Sequence, residues 1–175
     1  MSQDPSLGAP APDPTVDPLL EHALDSALDT AVEPALEAVA PDGPLVAVVM
    51  GSRSDDEEME KACAELRTRG IPHEKRVMSA HREPEVVAVY AKNARIRGLR
   101  VIIAGAGISA ALPGAVAAHT DLPVIGVPLS GRLTAAGGLD AILSIVQMPP
   151  GVPVACVGLD NARNAAILAA QILSA

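Results

Sequence analysis

The chain has 175 residues, 49% of them apolar, with no Trp or Phe and with Tyr90 as its single aromatic residue. A core restricted to Val, Ile, Leu and Ala suits a buried parallel sheet under Ala-rich helices, and it argues against the aromatic stacking by which single-stranded nucleic acid is held. The net charge of −8 belongs to the amino-terminal part: residues 1–44 carry nine acids and no Lys or Arg, leaving 12 acids against 13 bases in residues 45–175. A near-neutral domain behind an acidic tail argues further against nucleic-acid binding.

Residues 1–16, with Pro5, Pro10, Pro12 and Pro14 among small and acidic neighbours, read as a disordered leader. Asp17-Pro18 then looks like an N-cap followed by proline in the first helical turn. Leu20, Leu24, Leu28, Val32 and Leu36 repeat every fourth residue, with Glu21, Asp25, Asp29, Glu33 and Glu37 beside them. That pattern predicts an amphipathic helix, kinked or ended by Pro34. Like charges four residues apart weaken an isolated helix, so it either docks on a surface or stays a solvated extension. Pro41-Asp42-Gly43-Pro44 is the expected linker. An acidic, Pro-rich start is the reverse of a signal or transit peptide, and no apolar run reaches the length of a membrane span. The expectation is a cytoplasmic protein. Cys63 and Cys156 stand apart without metal-ligand spacing and read as small buried hydrophobes.

From residue 45 the pattern alternates. Leu45–Met50 is the first strand, and a helix follows from Asp55 to Thr68 with Met59, Cys63 and Leu66 on one face. His73–Met78 is the second strand. A helix over Pro84–Arg97 turns Val86, Val87, Tyr90, Ala91 and Ala94 inward and stops at Gly98. Val101–Ala104, Pro123–Gly126 and Val152–Val157 are the remaining strands. Helices over Leu112–His119, Leu139–Val146 and Ala162–Leu173 separate and follow them. Five strands alternating with helices predict a three-layer α/β/α sandwich around a parallel, flavodoxin-like sheet. Such sheets bind ligands at the carboxyl ends of their strands, where the strand order reverses.

Unusual residues gather at those strand ends. Met50-Gly51-Ser52-Arg53-Ser54-Asp55 is a tight small-residue turn whose N–H groups favour an anion, most often a phosphate. Ser79-Ala80-His81-Arg82 adds a titratable imidazole and a fixed cation. Together they point to an enzyme acting on a phosphorylated small molecule, with His81 as its proton carrier. Gly105-Ala106-Gly107-Ile108-Ser109-Ala110 fits the dinucleotide fingerprint only formally, since it follows the third strand and no acid closes the next. A Walker A lysine pattern is missing, and His22, His73, His81 and His119 have no metal-ligand spacing. No cofactor and no metal are expected.

Several motifs occur together and in order. They are Met-Gly-Ser-Arg-Ser-Asp at 50–55, Ser-Ala-His-Arg-Glu-Pro-Glu at 79–85, Val-Ile-Ile-Ala-Gly-Ala-Gly at 101–107 and Leu-Pro-Gly at 112–114. Leu-Pro-Val-Ile-Gly-Val-Pro at 122–128, Leu-Ser-Ile-Val-Gln-Met-Pro at 143–149 and Asn-Ala-Ala-Ile-Leu-Ala-Ala-Gln-Ile-Leu at 164–173 complete the set. On these residues the chain from about 45 to 175 resembles the PurE family of N5-carboxyaminoimidazole ribonucleotide mutases and phosphoribosylaminoimidazole carboxylase catalytic subunits. Residues 1–44 are not covered and read as a separate leader, helix and linker.

The resemblance implies a step of purine biosynthesis in which a carboxyl group moves from N5 to C4 of an imidazole ribonucleotide, with neither metal nor ATP. A second class of the family carboxylates aminoimidazole ribonucleotide with CO2 directly and typically reads Ser-Ala-His-Lys, so Arg82 sides with the mutases. The family's roles then fall on His81 as proton shuttle and on Ser79 and Arg82 as phosphate contacts, with Ser54 assisting. Asp55 would hold ribose hydroxyls, and Ser52 with the backbone of Ala106 and Gly107 would line the carboxylate and CO2 pocket. A homo-octamer is also implied.

The chain departs from the family at three places. Many mutases read Gly-Ala-Gly-Gly-Ala-Ala-His-Leu-Pro-Gly across 105–114, whereas this chain has Ile108, Ser109 and Ala111, and so lacks the histidine expected at 111. The loop at 130–138 is about two residues longer. The chain stops at Ala175, where many relatives continue into a helix that braces the octamer; the amino-terminal amphipathic helix is a candidate substitute. The alternatives left open are a direct carboxylase, a relative recruited to another carboxylated heterocycle, and a non-catalytic nucleotide-binding scaffold.

Overall fold

The computed structural model describes residues 43–175. The expected leader, the amphipathic helix and the start of the linker lie outside them. The order is β1 (Val46–Met50), α1 (Asp56–Thr68), β2 (His73–Val77), α2 (Pro84–Asn93), β3 (Val101–Gly107), α3 (Leu112–Ala117), β4 (Val124–Leu129), α4 (Leu139–Val146), β5 (Ala155–Cys156) and α5 (Ala162–Ser174). Single 3-10 turns at Arg53–Asp55 and Ala136–Gly138 lead into α1 and α4. All five strands pair in parallel, in the order β2-β1-β3-β4-β5, which is the flavodoxin-like arrangement.

Alternation within the strands sets the layers. Ala47 and Val49 of β1, with Ile102 and Ala104 of β3, face Val87, Tyr90 and Ala91 of α2, Leu112 and Val116 of α3, and Ile145 of α4. Val46, Val48 and Met50, with Val101 and Ile103, face Met59, Cys63 and Leu66 of α1 and Ala162, Ala165, Ala166 and Ala169 of α5. Strands β1, β3 and β4 are buried on both faces, so their apolar runs are continuous. Small alanines let α5 lie close to the sheet, and its Arg163 reaches Glu65 of α1 at 2.8 Å. Among the described residues no helix is long and apolar enough to cross a membrane.

Five elements differ from the sequence expectation by more than one residue. The third strand is expected to stop at Ala104 but runs to Gly107, because Gly105, Ala106 and Gly107 pair with Val127, Pro128 and Leu129 of β4. The fifth strand is expected over Val152–Val157 but only Ala155–Cys156 pairs, because Pro153 has no N–H to donate. The fourth is expected to stop at Gly126 yet runs to Leu129, through Pro128. Strand β5 has ended by then, so β4 has no outer partner at Pro128, and the proline carbonyl instead accepts from Asp160 N–H at 2.9 Å. Helix α2 ends at Asn93 and turns carry the chain to Gly98, whose φ of +89° makes the stop. Helix α3 ends at Ala117, two residues before His119. As expected, Cys63 is buried, while Cys156 is half-buried; burial pushes the Cys63 thiol up to about 11 and also raises that of Cys156.

Candidate active site

The order reversal between β1 and β3 opens a crevice at the carboxyl ends of the strands, where the backbone zips shut beneath it. Met50 carbonyl accepts from Met78 N–H at 2.9 Å, and Gly105 carbonyl accepts from Gly51 N–H at 3.3 Å. Above this seam lies a cleft of about 550 Å3. All the residues expected at the site line it: Ser52, Ser54 and Asp55 from the turn after β1, Ser79, His81 and Arg82 from the turn after β2, and Ala106 and Gly107 from the end of β3.

The first turn is organised by its own side chains. Ser52 caps the 3-10 turn, its Oγ accepting from Ser54 N–H at 3.3 Å and from the Ser54 hydroxyl at 2.9 Å. Asp55 Oδ1 lies 3.1 Å from Ser54 Oγ. Partial burial raises the Asp55 carboxyl above its ordinary value, against the lowering pull of the Ser54 and Ser52 hydrogen bonds and of the Arg82 charge. The second turn closes on itself. Ser79 carbonyl accepts from Glu83 N–H at 2.8 Å, and Ser79 N–H donates to Glu83 Oε2 at 3.3 Å. Ser79 is buried, whereas His81 and Arg82 are exposed and face the cleft. Arg82 Nη2 donates to Gly51 carbonyl at 2.8 Å, tying the two turns together. The guanidinium keeps its other N–H groups for an anion.

The third wall follows from a close approach. A Cβ on Gly107 would stand 2.8 Å from the Leu129 carbonyl, so the end of β3 tolerates only glycine against β4. The chain must then reverse into α3 within residues 108–111, with Ala111 N–H donating to Ser109 carbonyl at 2.7 Å. Ile108 makes the reversal at φ +58°. A branched residue there costs about 1–2 kcal/mol that glycine avoids. The side chain is 49% exposed and lines the cleft, so little burial offsets that cost.

The fourth wall was not assigned from sequence. Leu129, Ser130, Arg132, Leu133 and Thr134 line the cleft from the loop after β4. Asp160 holds the loop's start, accepting from Ser130 N–H at 2.8 Å and from its hydroxyl at 2.5 Å. Thr134 Oγ1 donates to Gly131 carbonyl at 2.7 Å, and Ala135 N–H donates to Asp140 Oδ2 at 2.8 Å. Between these anchors Arg132 and Leu133 are exposed at the rim. The available signal was the general placement of sites at carboxyl strand ends, applied to β4 as well as to β1–β3. Among the described residues no group of three or more His, Cys, Asp or Glu side chains is arranged to hold a metal.

The arrangement offers a cationic fork, a carboxylate, hydroxyls, an imidazole and a third wall that is apolar apart from Ser109 around one cleft. The AIR carboxylase family pattern matches residues 45–175. The chain is 58% identical over 131 residues to an N5-carboxyaminoimidazole ribonucleotide mutase of Aquifex aeolicus, covering 75% of this chain and 77% of that one. It is 57% identical over 134 residues to the enzyme of the same name from Bacillus subtilis, covering 75% and 82%. The crystal structure of Treponema denticola PurE superposes with a TM-score of 0.65 at 38% identity, covering 75% and 80%. On sequence and fold alike, the chain belongs to the AIR carboxylase (PurE) family.

Proposed function

We propose that the protein is an N5-carboxyaminoimidazole ribonucleotide mutase, moving the carboxyl group from N5 to C4. The observation that carries the reading is the convergence of His81, Arg82, Ser79 and the Ser52–Asp55 turn on one cleft. The mutase names of the relatives support it. So does Arg82, a planar fork matched to a phosphate.

In this reading the ribose phosphate binds Arg82 and Ser79 with help from Ser54, and Asp55 takes the ribose hydroxyls. Ser52 and the backbone of Ala106 and Gly107 face the carboxylate. The N5–carboxylate bond breaks with its electron pair left on N5, which takes a proton from His81, and neutral CO2 is released. C4 then attacks the CO2 carbon, and the hydrogen on C4 leaves as a proton to the now neutral imidazole. The sum is an isomerisation without oxidant, reductant or nucleotide cofactor. The same reading takes residues 45–175 as the catalytic unit and the assembly as a cytoplasmic homo-octamer.

The test is to supply purified protein with N5-carboxyaminoimidazole ribonucleotide at low CO2 and, separately, with aminoimidazole ribonucleotide plus bicarbonate. Formation of the C4-carboxylated product from the first substrate is the expected result. Product from the second alone would replace the mutase by a direct carboxylase, and inertness towards both would remove the reading.

A further inference from the structure

Ile108 combines three features that local packing does not explain. It is the one β-branched residue with positive φ among the described residues, at +58°. Its side chain is 49% exposed, so its conformation is not held in place by a surrounding core. It follows Gly107 directly and lines the cleft with Ala111, Leu112, Leu129 and Leu133. A strained backbone retained at a ligand cleft, rather than relaxed by glycine, points to a use for the side chain.

The chemistry proposed above names that use. After the N5–carboxylate bond breaks, CO2 is an uncharged, apolar molecule that hydrogen bonds hardly hold. Its recapture by C4 competes with escape and hydration. Arg82, Asp55, Ser52 and Ser54 stand on the turns after β1 and β2, and Ser130, Arg132 and Thr134 on the loop after β4, whereas Ile108 adds a branched apolar surface beside Gly107. We propose that Ile108 is a specificity-determining residue whose side chain walls the cleft beside Gly107 and confines released CO2 next to the ring, favouring recarboxylation over loss. This rests on the mutase reading and adds to it a determinant of product outcome.

The experiment follows the fate of N5-carboxyaminoimidazole ribonucleotide while free CO2 is continuously removed, with the enzyme-free background subtracted. Two products are counted, the C4-carboxylated nucleotide and aminoimidazole ribonucleotide. Ile108→Gly removes the wall and the strain; Ile108→Ala removes the wall but keeps an L-residue at positive φ. Both are expected to raise the decarboxylated share at least threefold over wild type. The Ala variant should melt below the Gly variant, as the left-handed backbone requires. Ile108→Val, which keeps a branched surface, should stay within twofold of wild type.

An unchanged product ratio in the Gly variant overturns the assignment. So does leakage in the Gly variant without leakage in the Ala variant, since the cause is then backbone freedom and not the side chain. Wild-type protein that leaves the substrate unconverted overturns the mutase reading together with the assignment, whereas wild-type turnover with unaltered variant ratios overturns the assignment alone.

Discussion

The two ends of the sheet treat charge in opposite ways. At the amino end Glu74 of β2 accepts from Tyr90 Oη at 2.5 Å and from Arg97 Nη2 at 2.7 Å, with Arg76 Nη2 at 3.2 Å. Arg97 is 6% exposed and lies 5.2 Å from the centre of the Tyr90 ring. These groups are spent on one another. At the carboxyl end His81 and Arg82 are exposed, and the hydrogen bonds of Ser52, Ser54 and Asp55 run mostly among themselves. The same residue types therefore do different work. Paired and buried, they join β2 to α2; unspent in a cleft, they are available to a ligand.

That contrast is sharpest in mutants that separate activity from stability. His81→Asn should lower kcat by about 10³-fold, the range of a lost general acid–base group, while Tm and nucleotide affinity hold. Turnover near wild type, measured on the C4-carboxylated product, would remove His81 from the proton path.

Arg97→Leu should do the reverse. It should cost about 2 kcal/mol of stability at neutral pH, since it removes the buried guanidinium and leaves Glu74 with only Tyr90 and the more exposed Arg76, with activity per folded molecule retained. The cost sits at the low end because Arg97 Nε and Nη1 find no partner among the described residues, and their burial penalty goes too. The cost should also depend on pH. Burial works against the Glu74 carboxylate, but the Arg97 and Tyr90 hydrogen bonds and the Arg97 and Arg76 charges outweigh it and hold its pKa below the ordinary value. A depressed carboxyl pKa contributes stability above the unfolded value and loses it as pH falls through the folded one. Urea unfolding should therefore show the gap between wild type and Arg97→Leu narrowing in acid. A gap that is constant with pH would mean that the pair does not set the stability of this end.

Asp55→Asn is the smallest effect and has two signs. Burial raises the Asp55 carboxyl, so the folded state binds its proton more readily than the unfolded chain, and the ionised group is a mild liability at neutral pH. The variant should weaken nucleotide binding yet raise Tm slightly at neutral pH, a gain that disappears as pH falls and the wild-type carboxyl takes up its proton. A lower Tm at neutral pH would show that Asp55 serves the turn more than the ligand.

Much of the cleft is legible in the sequence. Ser52, Ser54, Asp55, Ser79, His81, Arg82, Ala106 and Gly107 all face it: the apolar runs of β1 and β3 mark the first three and the last two, whereas Ser79, His81 and Arg82 follow the polar edge strand His73–Val77 and stand out by their own chemistry. The wall from Ser130 to Thr134 was not assigned, because its anchoring by Asp160 spans 30 residues and leaves no local pattern. The buried Glu74–Arg97 pair spans 23 residues and was missed for the same reason. The strain at Ile108 was equally invisible. It sits where the chain reverses between the end of β3, packed against β4, and the start of α3.

By itself, then, the order of residues determined the alternation of strand and helix, the two buried faces of the central strands and the turns that carry reactive groups. These depend on periodicity and on neighbours within a few positions. Only the tertiary structure decided how far β4 and β5 run, which charges are spent on each other, and that an isoleucine is held at φ +58° beside the cleft. Those outcomes depend on which strands lie side by side, and contacts between residues far apart in sequence set them.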